Sequence, residues 1–406
     1  MLKKIDLQKQ NRKNKQNFKK FLPFLIGLGM VFLIIFIWAQ TTSSSSSFIF
    51  KIPLLPGASP IKSDNDRVNI LMIGNAGGGH DGPLLTDSII IASYNLKTKK
   101  AILFSIPRDL WIDKASVKVN TLYAIGVKKG DGLNYTKSKI GEIMGIPIHY
   151  AIRLDFSGFA KAIDLIEGVK VNVPHTFDDY NYPIEGKEDE LCDYKEEERE
   201  LKDEDIQKLN LATPYPSGLW YSDKPYPLAS GKYKILLDPT GAIATDSNKI
   251  RFDCRFEHIH FDEGSTKMDG ETALKFVRSR MGSNGEGSDF ARSRRQQLII
   301  QAFREKVLSL ETLANPIKVT GLVATLGSSL ETDIPFEHYL EFYKLIKTTK
   351  KVESVVLGDL GEGKSILVTP PAAFYGGAFV LIPQDNDMKK IHNFVRMSFS
   401  KTEDQK

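Results

Sequence analysis

Near the amino terminus, residues 21–39 form a run of nineteen residues without a single charge. Folded as a helix at 1.5 Å per residue, this run is about 28 Å long, which nearly matches the roughly 30 Å hydrocarbon core of a bilayer. A cleaved secretory signal is the competing interpretation, but the apolar region of such a signal is typically only about 7–15 residues long. We therefore predict one retained transmembrane helix over residues 21–39.

The charges beside this run set its orientation. Residues 1–20 contain eight Lys or Arg residues and a single acid, Asp6. Because Lys and Arg favour the cytoplasmic side of a membrane, we predict a basic cytoplasmic stub at 1–20 and an extracytoplasmic remainder. The Ser-, Pro- and Gly-rich residues 40–65 are typical of a flexible linker. We thus expect a single-pass protein of the cell membrane, with its folded domain at residues 66–400 outside the cytoplasm.

The net charge of +5 comes from that stub, because the remaining 386 residues hold 47 basic and 49 acidic residues. A body with this balance lacks the basic footprint of a nucleic-acid-binding protein, so we predict no nucleic-acid partner. Two cysteines, Cys192 and Cys254, are too few for a disulfide scaffold or a four-thiolate zinc site.

The folded domain begins with an apolar strand, residues 68–73, that runs into a glycine-rich loop. Gly77, Gly79 and Gly82 in this loop have the GxGxxG spacing of dinucleotide-binding proteins. In those proteins a helix follows the loop and directs its amino end at a pyrophosphate, whereas here the β-branched residues 89–91 follow. The pattern therefore predicts a second strand and indicates no nucleotide site.

Strands and helices alternate through the first half of the domain. The second strand, ending near Tyr94, turns and returns as a third over residues 101–106, which is a hairpin pattern. Further helices are predicted over residues 120–127, 135–144 and 156–167, and further strands over 151–154 and 169–173. The alternation predicts an α/β fold, specifically an α/β/α layered domain with a mixed central sheet.

The composition changes over residues 177–255, which we predict to be an acidic and Pro-rich insertion. Residues 187–205 hold eleven acids and four bases. These acids lack ligand spacing, so a solvated surface segment is favoured over a cation site. Cys192 and Cys254 either form one disulfide or remain two thiols, and the sequence leaves both possibilities open.

The strongest chemical signal is a cluster of five arginines between residues 278 and 295. An extended segment over residues 277–281 would project Arg278 and Arg280 from the same face, because side chains of a strand alternate. Such a pair is suited to clamping an anion, since a guanidinium binds phosphate oxygens in a bidentate manner.

A helix is predicted after the following glycine-rich turn, with Ser288 or Asp289 as its cap and an end near residue 310. Arg292 and Gln296 lie one turn apart on this helix, on the stripe that continues into apolar residues. A guanidinium on such a stripe needs an anion to offset its desolvation. A salt-bridged, solvated position suits Arg294 better.

Several short motifs occur in a fixed order along the chain. In combination they resemble the LytR-CpsA-Psr family of cell-wall enzymes. The motifs are Thr-Asp-Ser at 86–88, Ser-Ile-Pro-Arg-Asp at 105–109, Lys118-Val119-Asn120 with Tyr123-Ala124, Arg-Ser-Arg at 278–280, Asp-Phe-x-Arg-x-x-Arg-Gln-Gln at 289–297, Glu-Thr-Asp-Ile-Pro at 331–335, and Val-Leu-Ile-Pro at 380–383.

This resemblance implies a fold that holds a polyprenyl tail in an apolar cavity and the pyrophosphate at an arginine-lined mouth. It implies a membrane-anchored phosphotransferase that moves a glycopolymer phosphate from a polyprenyl-pyrophosphate carrier to peptidoglycan or a related wall acceptor, with Mg²⁺ (or Mn²⁺) as cofactor. The catalytic residues carried over are Arg108, Arg278, Arg280 and Arg292; the substrate-binding residues are Gln296, Arg295, Asn120 and Lys118; the metal ligand is Asp87.

The loop departs from the family pattern at two positions. Ala76 stands where the family usually has a metal-binding Asp, and Leu85 stands where it usually has an Arg. Asp81 in the same loop is the candidate replacement for the lost carboxylate, with His80 as a weaker one. The alternative is that Asp81 only stabilises a turn and that metal affinity is reduced.

Two other functions remain open at this point. One is hydrolysis of the polyprenyl-pyrophosphate carrier, in which water attacks instead of a sugar hydroxyl. The other is a non-catalytic wall protein that binds lipid pyrophosphate without turnover. A DNA-binding regulator is disfavoured, because the only basic cluster on the cytoplasmic side is a twenty-residue tail without a helix-turn-helix pattern.

Overall fold

The structure, a computed structural model, describes residues 60–77, 82–202, 226–227, 233–244, 251–361 and 363–404. The predicted transmembrane helix at 21–39 and the loop residues His80 and Asp81 lie outside these ranges. Within the ranges described, no helix combines the length and the apolar character that a membrane span requires.

Strands and helices alternate along the described chain. The strands are β1 (Arg67–Asn75), β2 (Thr86–Asn95), β3 (Lys100–Ser105), β4 (Trp111–Ile112), β5 (Val117–Lys118), β6 (Tyr150–Asp155), β7 (Val169–Val173), β8 (Phe177–Pro183), β9 (Lys195–Arg199), β10 (Tyr226–Pro227), β11 (Tyr233–Leu237), β12 (Phe256–Phe261), β13 (Gly264–Met268), β14 (Leu330–Thr332), β15 (Lys351–Val356), β16 (Asp359–Gly361), β17 (Lys364–Ser365), β18 (Leu367–Val368) and β19 (Ile382–Pro383). The helices are α1 (Leu122–Lys128), α2 (Gly132–Met144), α3 (Phe156–Leu165), α4 (Gly270–Arg278), α5 (Asp289–Val307), α6 (Leu310–Leu313), α7 (Pro316–Ser329), α8 (Tyr339–Thr348) and α9 (Met388–Asp404).

Contacts divide the chain into two compact units. Among the described residues, we call those of Met1–Val171, Lys267–Leu274 and Ser293–Lys406 the sheet unit, and those of Asn172–Thr266 and Lys275–Arg292 the insertion unit. The predicted insertion, residues 177–255, falls inside the second of these.

The sheet unit is built on one mixed sheet in the order β14-β6-β1-β2-β3-β15. The strand pairs β1–β6 and β3–β15 are parallel, and β1–β2, β2–β3 and β6–β14 are antiparallel. The predicted α/β fold with a mixed central sheet is therefore confirmed. β2 forms because its β-branched residues 89–91 are buried, and Ile89 and Ile91 pack on one face with side chains of α1, α2 and α9.

The insertion unit contains a structural cross-link. Cys192 and Cys254 form a disulfide, which decides the question that the sequence left open. In the chain-entropy model a bond closing a loop with a separation of 62 residues stabilises the folded state by about 4 kcal/mol. The acidic strand β9 is exposed at every residue and pairs with β11.

Candidate active site

A bulge at the start of β2 positions the predicted metal ligand. Gly74 of β1 pairs with Ser88, and the next residue, Asn75, pairs with Thr86. Asp87 therefore has no partner on β1 and is the extra residue of the bulge. Bulges redirect a side chain away from the regular alternation of a strand and are common beside active sites.

Arg108 lies against Asp87, so the structure brings together two of the predicted site residues. Its Nη1 contacts Asp87 Oδ1, and its Nε donates to Asp109 Oδ2 at 3.3 Å. The side chains of Arg108 and Asp87 are 23% and 34% exposed, so both remain open to a ligand. Burial by itself would lower the pKa of Arg108, but the charges of Asp87 and Asp109 outweigh it and raise that pKa.

Asp109 also belongs to the site, although its sequence position alone did not predict this role. Its carboxylate accepts from Lys118 Nζ at 2.7 Å, and its carbonyl accepts from the backbone N–H of Leu381 at 3.0 Å. Burial would raise the pKa of Asp109, yet Lys118 and Arg108 together lower it. We call Asp87, Arg108, Asp109 and Lys118 the charged corner.

Two further predicted residues contact the strand that carries Asp87. Gln296 Oε1 accepts a hydrogen bond from Ser88 Oγ at 3.1 Å. The carbonyl of Asn120 accepts from Thr86 Oγ1 at 3.2 Å, and the side chain of Asn120 is buried. Gln296 and Asn120 therefore hold the two neighbours of Asp87 in sequence.

Gln297 explains how α5 presents Gln296 to β2. The buried side chain of Gln297 donates from Nε2 to the carbonyl of Leu103 at 3.1 Å and to that of Val355 at 3.2 Å. One amide thus bridges β3 and β15 and fixes the helix on the sheet. Because Gln297 is anchored, the adjacent Gln296 is held in place beside Ser88.

The arginines of α5 have different environments. Arg294 is exposed and pairs with Asp359 at 3.2 Å, which confirms the predicted solvated salt bridge. Arg295 is fully buried, and its predicted contact with substrate stays a prediction. Arg292 is buried as well, and its Nη2 pairs with Asp289 Oδ1 at 2.7 Å. The backbone N–H of Ala291 donates to Ser288 Oγ at 3.1 Å, so the predicted cap is confirmed.

The predicted extended segment at residues 277–281 is wrong, because Arg278 ends helix α4. The helix starts at a cap in which Asp269 Oδ1 accepts from the backbone N–H of Thr272 at 2.8 Å. Arg278 and Arg280 therefore do not alternate along a strand, and Arg280 follows the helix. The helical spacing is visible in the apolar side chains that α4 buries, which are Ala273, Phe276 and Val277.

Asp179 holds the backbone after α4. Its Oδ2 accepts from Ser279 Oγ at 2.7 Å, from the N–H of Arg280 at 3.2 Å and from the N–H of Met281 at 3.1 Å. Asp179 and Ser279 are both fully buried. We call residues 278–281 the arginine segment. No sequence signal marked Asp179, because it lies about one hundred residues earlier in the chain.

The donors of the charged corner suit a hard divalent cation. Asp87 offers a part-exposed carboxylate, whereas the carboxylate of Asp109 is buried between two cations. Ala76 contributes no ligand, as the sequence indicates. Mg²⁺ keeps several waters and takes only one or two carboxylates beside substrate phosphates, so a single carboxylate at Asp87 fits this ion.

Comparison with known proteins gives a consistent family. The model of the LytR_cpsA_psr family matches residues 40–368. The chain is 22% identical over 371 residues to the polyisoprenyl-teichoic acid–peptidoglycan teichoic acid transferase TagT of Bacillus subtilis (strain 168), covering 87% of this chain and 90% of TagT. It is 24% identical over 279 residues to the transferase of the same description, TagU, of Oceanobacillus iheyensis, covering 68% of this chain and 61% of TagU.

A solved structure shares the fold. Protein gbs0355 from Streptococcus agalactiae superposes with a TM-score of 0.50 at 17% identity, over 82% of this chain and 87% of that one. At this identity the likeness concerns the fold alone.

Proposed function

The chain belongs to the LytR_cpsA_psr family, and on that premise we propose that it transfers a glycopolymer phosphate from a polyprenyl-pyrophosphate carrier to peptidoglycan or a related wall acceptor. Two relatives are named as polyisoprenyl-teichoic acid–peptidoglycan teichoic acid transferases, which supports this class of donor and acceptor. The observation that carries the proposal is the contact of Arg108 with Asp87 at the bulge of β2.

Arg108 is suited to bind the pyrophosphate of the donor. Its Nε and Nη1 atoms face Asp109 and Asp87, which fix the plane of the guanidinium. A guanidinium has five N–H donors, so Nη2 retains donors for a phosphate oxygen. Phosphoryl transfer depends mainly on positioning and on stabilising the charge of the phosphate oxygens, and an oriented guanidinium does both.

The other residues carried over from the family complete the proposed binding set. Gln296 uses its Oε1 for Ser88, which leaves its Nε2 group to donate to a phosphate oxygen. Lys118 contacts Asp109 and adds a positive charge at the charged corner. The roles of Asn120, Arg278, Arg280, Arg292 and Arg295 as substrate ligands or charge donors rest on the resemblance of their motifs.

We propose Asp87 as the ligand of Mg²⁺ (or Mn²⁺), with Asp81 as a second candidate. When bound, such an ion neutralises the charge of phosphate oxygens. Asp87 is the part-exposed carboxylate of the corner, and the bulge directs it away from the regular pairing of β2. Its contact with Arg108 places the carboxylate that would hold the ion beside the guanidinium that would bind a phosphate oxygen.

We further propose that residues 21–39 anchor the protein in the cell membrane, with the catalytic domain outside. The length of the uncharged run and the basic residues before it support this topology. A reporter fused after Lys406 is expected to be active only outside the cytoplasm. Activity confined to the cytoplasm would contradict the topology.

The transfer itself is tested with the full chain purified in detergent. Lipid-linked glycan, peptidoglycan and Mg²⁺ are mixed with the protein, and we expect glycan joined to peptidoglycan through a phosphodiester. Arg108→Ala should be inactive, whereas the matched control Arg294→Ala, on the exposed face of α5, should retain activity. Release of free glycan phosphate without transfer would identify a hydrolase, and binding without any product would identify a non-catalytic wall protein.

A further inference from the structure

A cluster of two histidines and one aspartate lies on the insertion unit, and the proposed transfer reaction does not use it. β8 and β12 are antiparallel, and Asp178 is paired directly with His260. His258 lies two residues before His260 and therefore on the same face of β12. Asp178 Oδ1 is 2.8 Å from His258 Nε2 and 2.8 Å from His260 Nδ1.

These three side chains have the chemistry of a transition-metal site. Two imidazoles and one carboxylate are ligands that Zn²⁺ takes, and zinc sites often have three protein ligands and one open position. In a tetrahedral site with bonds of about 2.0–2.1 Å the ligand atoms lie about 3.4 Å apart. The three donor atoms here all lie within 4.8 Å of one another, so small rotations suffice. We propose that Asp178, His258 and His260 bind Zn²⁺.

Neighbouring groups hold both imidazoles in an orientation suited to a metal. His260 Nε2 is 3.2 Å from Asp262 Oδ1, and a carboxylate there keeps the ring proton on Nε2 and leaves Nδ1 to face Asp178. The ring of His258 stacks on Tyr180 with centroids 4.2 Å apart and planes inclined by 6°. The pairing of β8 with β12 is irregular beside His258, and this irregularity brings Tyr180 next to the ring of His258.

A proton competes with a metal ion for the ring of His260. Hydrogen bonds from its ring nitrogens to two carboxylates raise the pKa of His260, and the bond to Asp178 has a larger effect than the bond to Asp262. A protonated imidazolium donates to both carboxylates. With a metal on Nδ1, Asp262 would still accept from the Nε2–H group, and Asp178 would become a ligand of the metal. The competing state is therefore a protonated His–Asp pair without metal, and the experiment below distinguishes the two.

The metal site would lie beside the residue that holds the arginine segment. Asp178 and Asp179 are consecutive residues. The side chain of Asp178 contacts the two histidines, and the side chain of Asp179 accepts hydrogen bonds from residues 279–281. The backbone of Asp178 also exchanges two hydrogen bonds with Ser283, at 2.8 and 2.9 Å. Zinc bound at Asp178 would therefore restrict the strand from which Asp179 holds the backbone of Arg280.

The test is a calorimetric titration of the full chain in detergent with Zn²⁺, in an excess of Mg²⁺ that occupies hard oxygen sites. We expect one Zn²⁺ per chain. His258→Ala and His260→Ala should each weaken binding by more than about 100-fold, and Asp262→Asn by about 10- to 100-fold. The matched control is His175→Ala, an exposed histidine of the same unit outside the cluster, which should bind as the wild type does.

Two further measurements make the result decisive. Co²⁺ in place of Zn²⁺ should give the visible spectrum of a tetrahedral site in the wild type and in His175→Ala, but not in the double variant His258→Ala/His260→Ala. Hydrogen exchange of the Arg280 and Met281 amides should slow when Zn²⁺ is added. Absence of saturable binding, or binding unchanged in the double variant, would overturn the site and leave the protonated pair. Exchange that is unaffected by bound Zn²⁺ would overturn its link to the arginine segment.

Discussion

The charged corner of the sheet unit and the arginine segment of the insertion unit are stabilised in different ways. In the corner the charged side chains hold one another, since Arg108 contacts both Asp87 and Asp109 and Lys118 contacts Asp109. In the arginine segment a buried carboxylate, Asp179, holds backbone N–H groups and a serine hydroxyl. Replacing one charged residue of the corner should therefore weaken the ion pairs of its neighbours. In the arginine segment, by contrast, an arginine and the carboxylate that holds the backbone can be replaced independently of each other.

The largest effect is expected at Asp87. Asp87→Asn should abolish Mg²⁺-dependent transfer, a loss on the order of 10³-fold or more, because a metal ion contributes several kcal/mol of charge stabilisation. The same change removes one of the two carboxylates that orient Arg108. Transfer is measured against Mg²⁺ concentration. A curve that superimposes on the wild-type curve would remove Asp87 from the site.

Asp81→Asn tests the second candidate carboxylate, in the glycine-rich loop that precedes β2. If Asp81 replaces the carboxylate lost at Ala76, its variant should show a partial defect that higher Mg²⁺ relieves. An unchanged curve at all Mg²⁺ concentrations would leave Asp87 as the sole loop carboxylate implicated.

The arginines of the segment should show the next largest effect. Arg278→Ala and Arg280→Ala should each cost about 2–4 kcal/mol of transition-state stabilisation, which is about 30- to 1000-fold in rate. Arg278→Lys should also be poor, because an ammonium lacks the bidentate fork. The assay is kcat/KM for transfer, with Arg294→Ala as the control. Full activity in both alanine variants would end the assignment of these arginines to the site.

The sequence predicted four strands of the central sheet, β1, β2, β3 and β6, because their signal is local, but it did not predict β14 and β15. Residues 68–73 and 151–154 lie within β1 and β6, and residues 169–173 form β7, which pairs with β13 outside the central sheet. The helix cap was predicted at Ser288 or Asp289, and Ser288 is the residue that caps α5. The segment at 277–281 failed because alternation over five residues is weaker evidence than the buried helical stripe of α4, which begins earlier.

Features that depend on pairing between distant residues could not be predicted. The bulge that frees Asp87 follows from the register of β1 against β2, and Asp179 meets the arginine segment across about one hundred residues. Asp109 was visible beside Arg108, but its role depends on Lys118 and on the backbone of Leu381. Such contacts are tertiary and leave no periodic trace in the sequence.

Asp179 tests the support of the arginine segment without altering an arginine. Asp179→Ala leaves a buried hydroxyl and three backbone N–H groups, those of Asn181, Arg280 and Met281, without their acceptor, and an unsatisfied buried group costs about 1–3 kcal/mol. We expect a loss of about 2–3 kcal/mol in the free energy of unfolding. Hydrogen exchange of the Arg280 and Met281 backbone amides should accelerate.

The control is Asp253→Ala, which alters an exposed carboxylate of the same unit and should change the free energy of unfolding by less than about 0.5 kcal/mol. Equal stability of the two variants would show that Asp179 does not support the segment.

The smallest expected effect concerns acid stability of the charged corner. Burial raises the pKa of Asp109, but Lys118 and Arg108 outweigh it, so the folded-state pKa lies below that of the unfolded chain. The folded state then binds the proton more weakly, and this stabilisation is fully present above the unfolded pKa of about 3.9 and is lost as the pH falls through the folded pKa.

Asp109→Asn removes the titration, so the difference in unfolding free energy between wild type and variant should shrink as the pH is lowered from about 5 to about 3. Because Lys118 is partly exposed and water screens its charge, the change should be on the order of 1 kcal/mol. Denaturant unfolding of both proteins across this pH range measures the difference. A difference that stays constant would mean that the charges of the corner do not stabilise one another, and the contrast with the arginine segment would disappear.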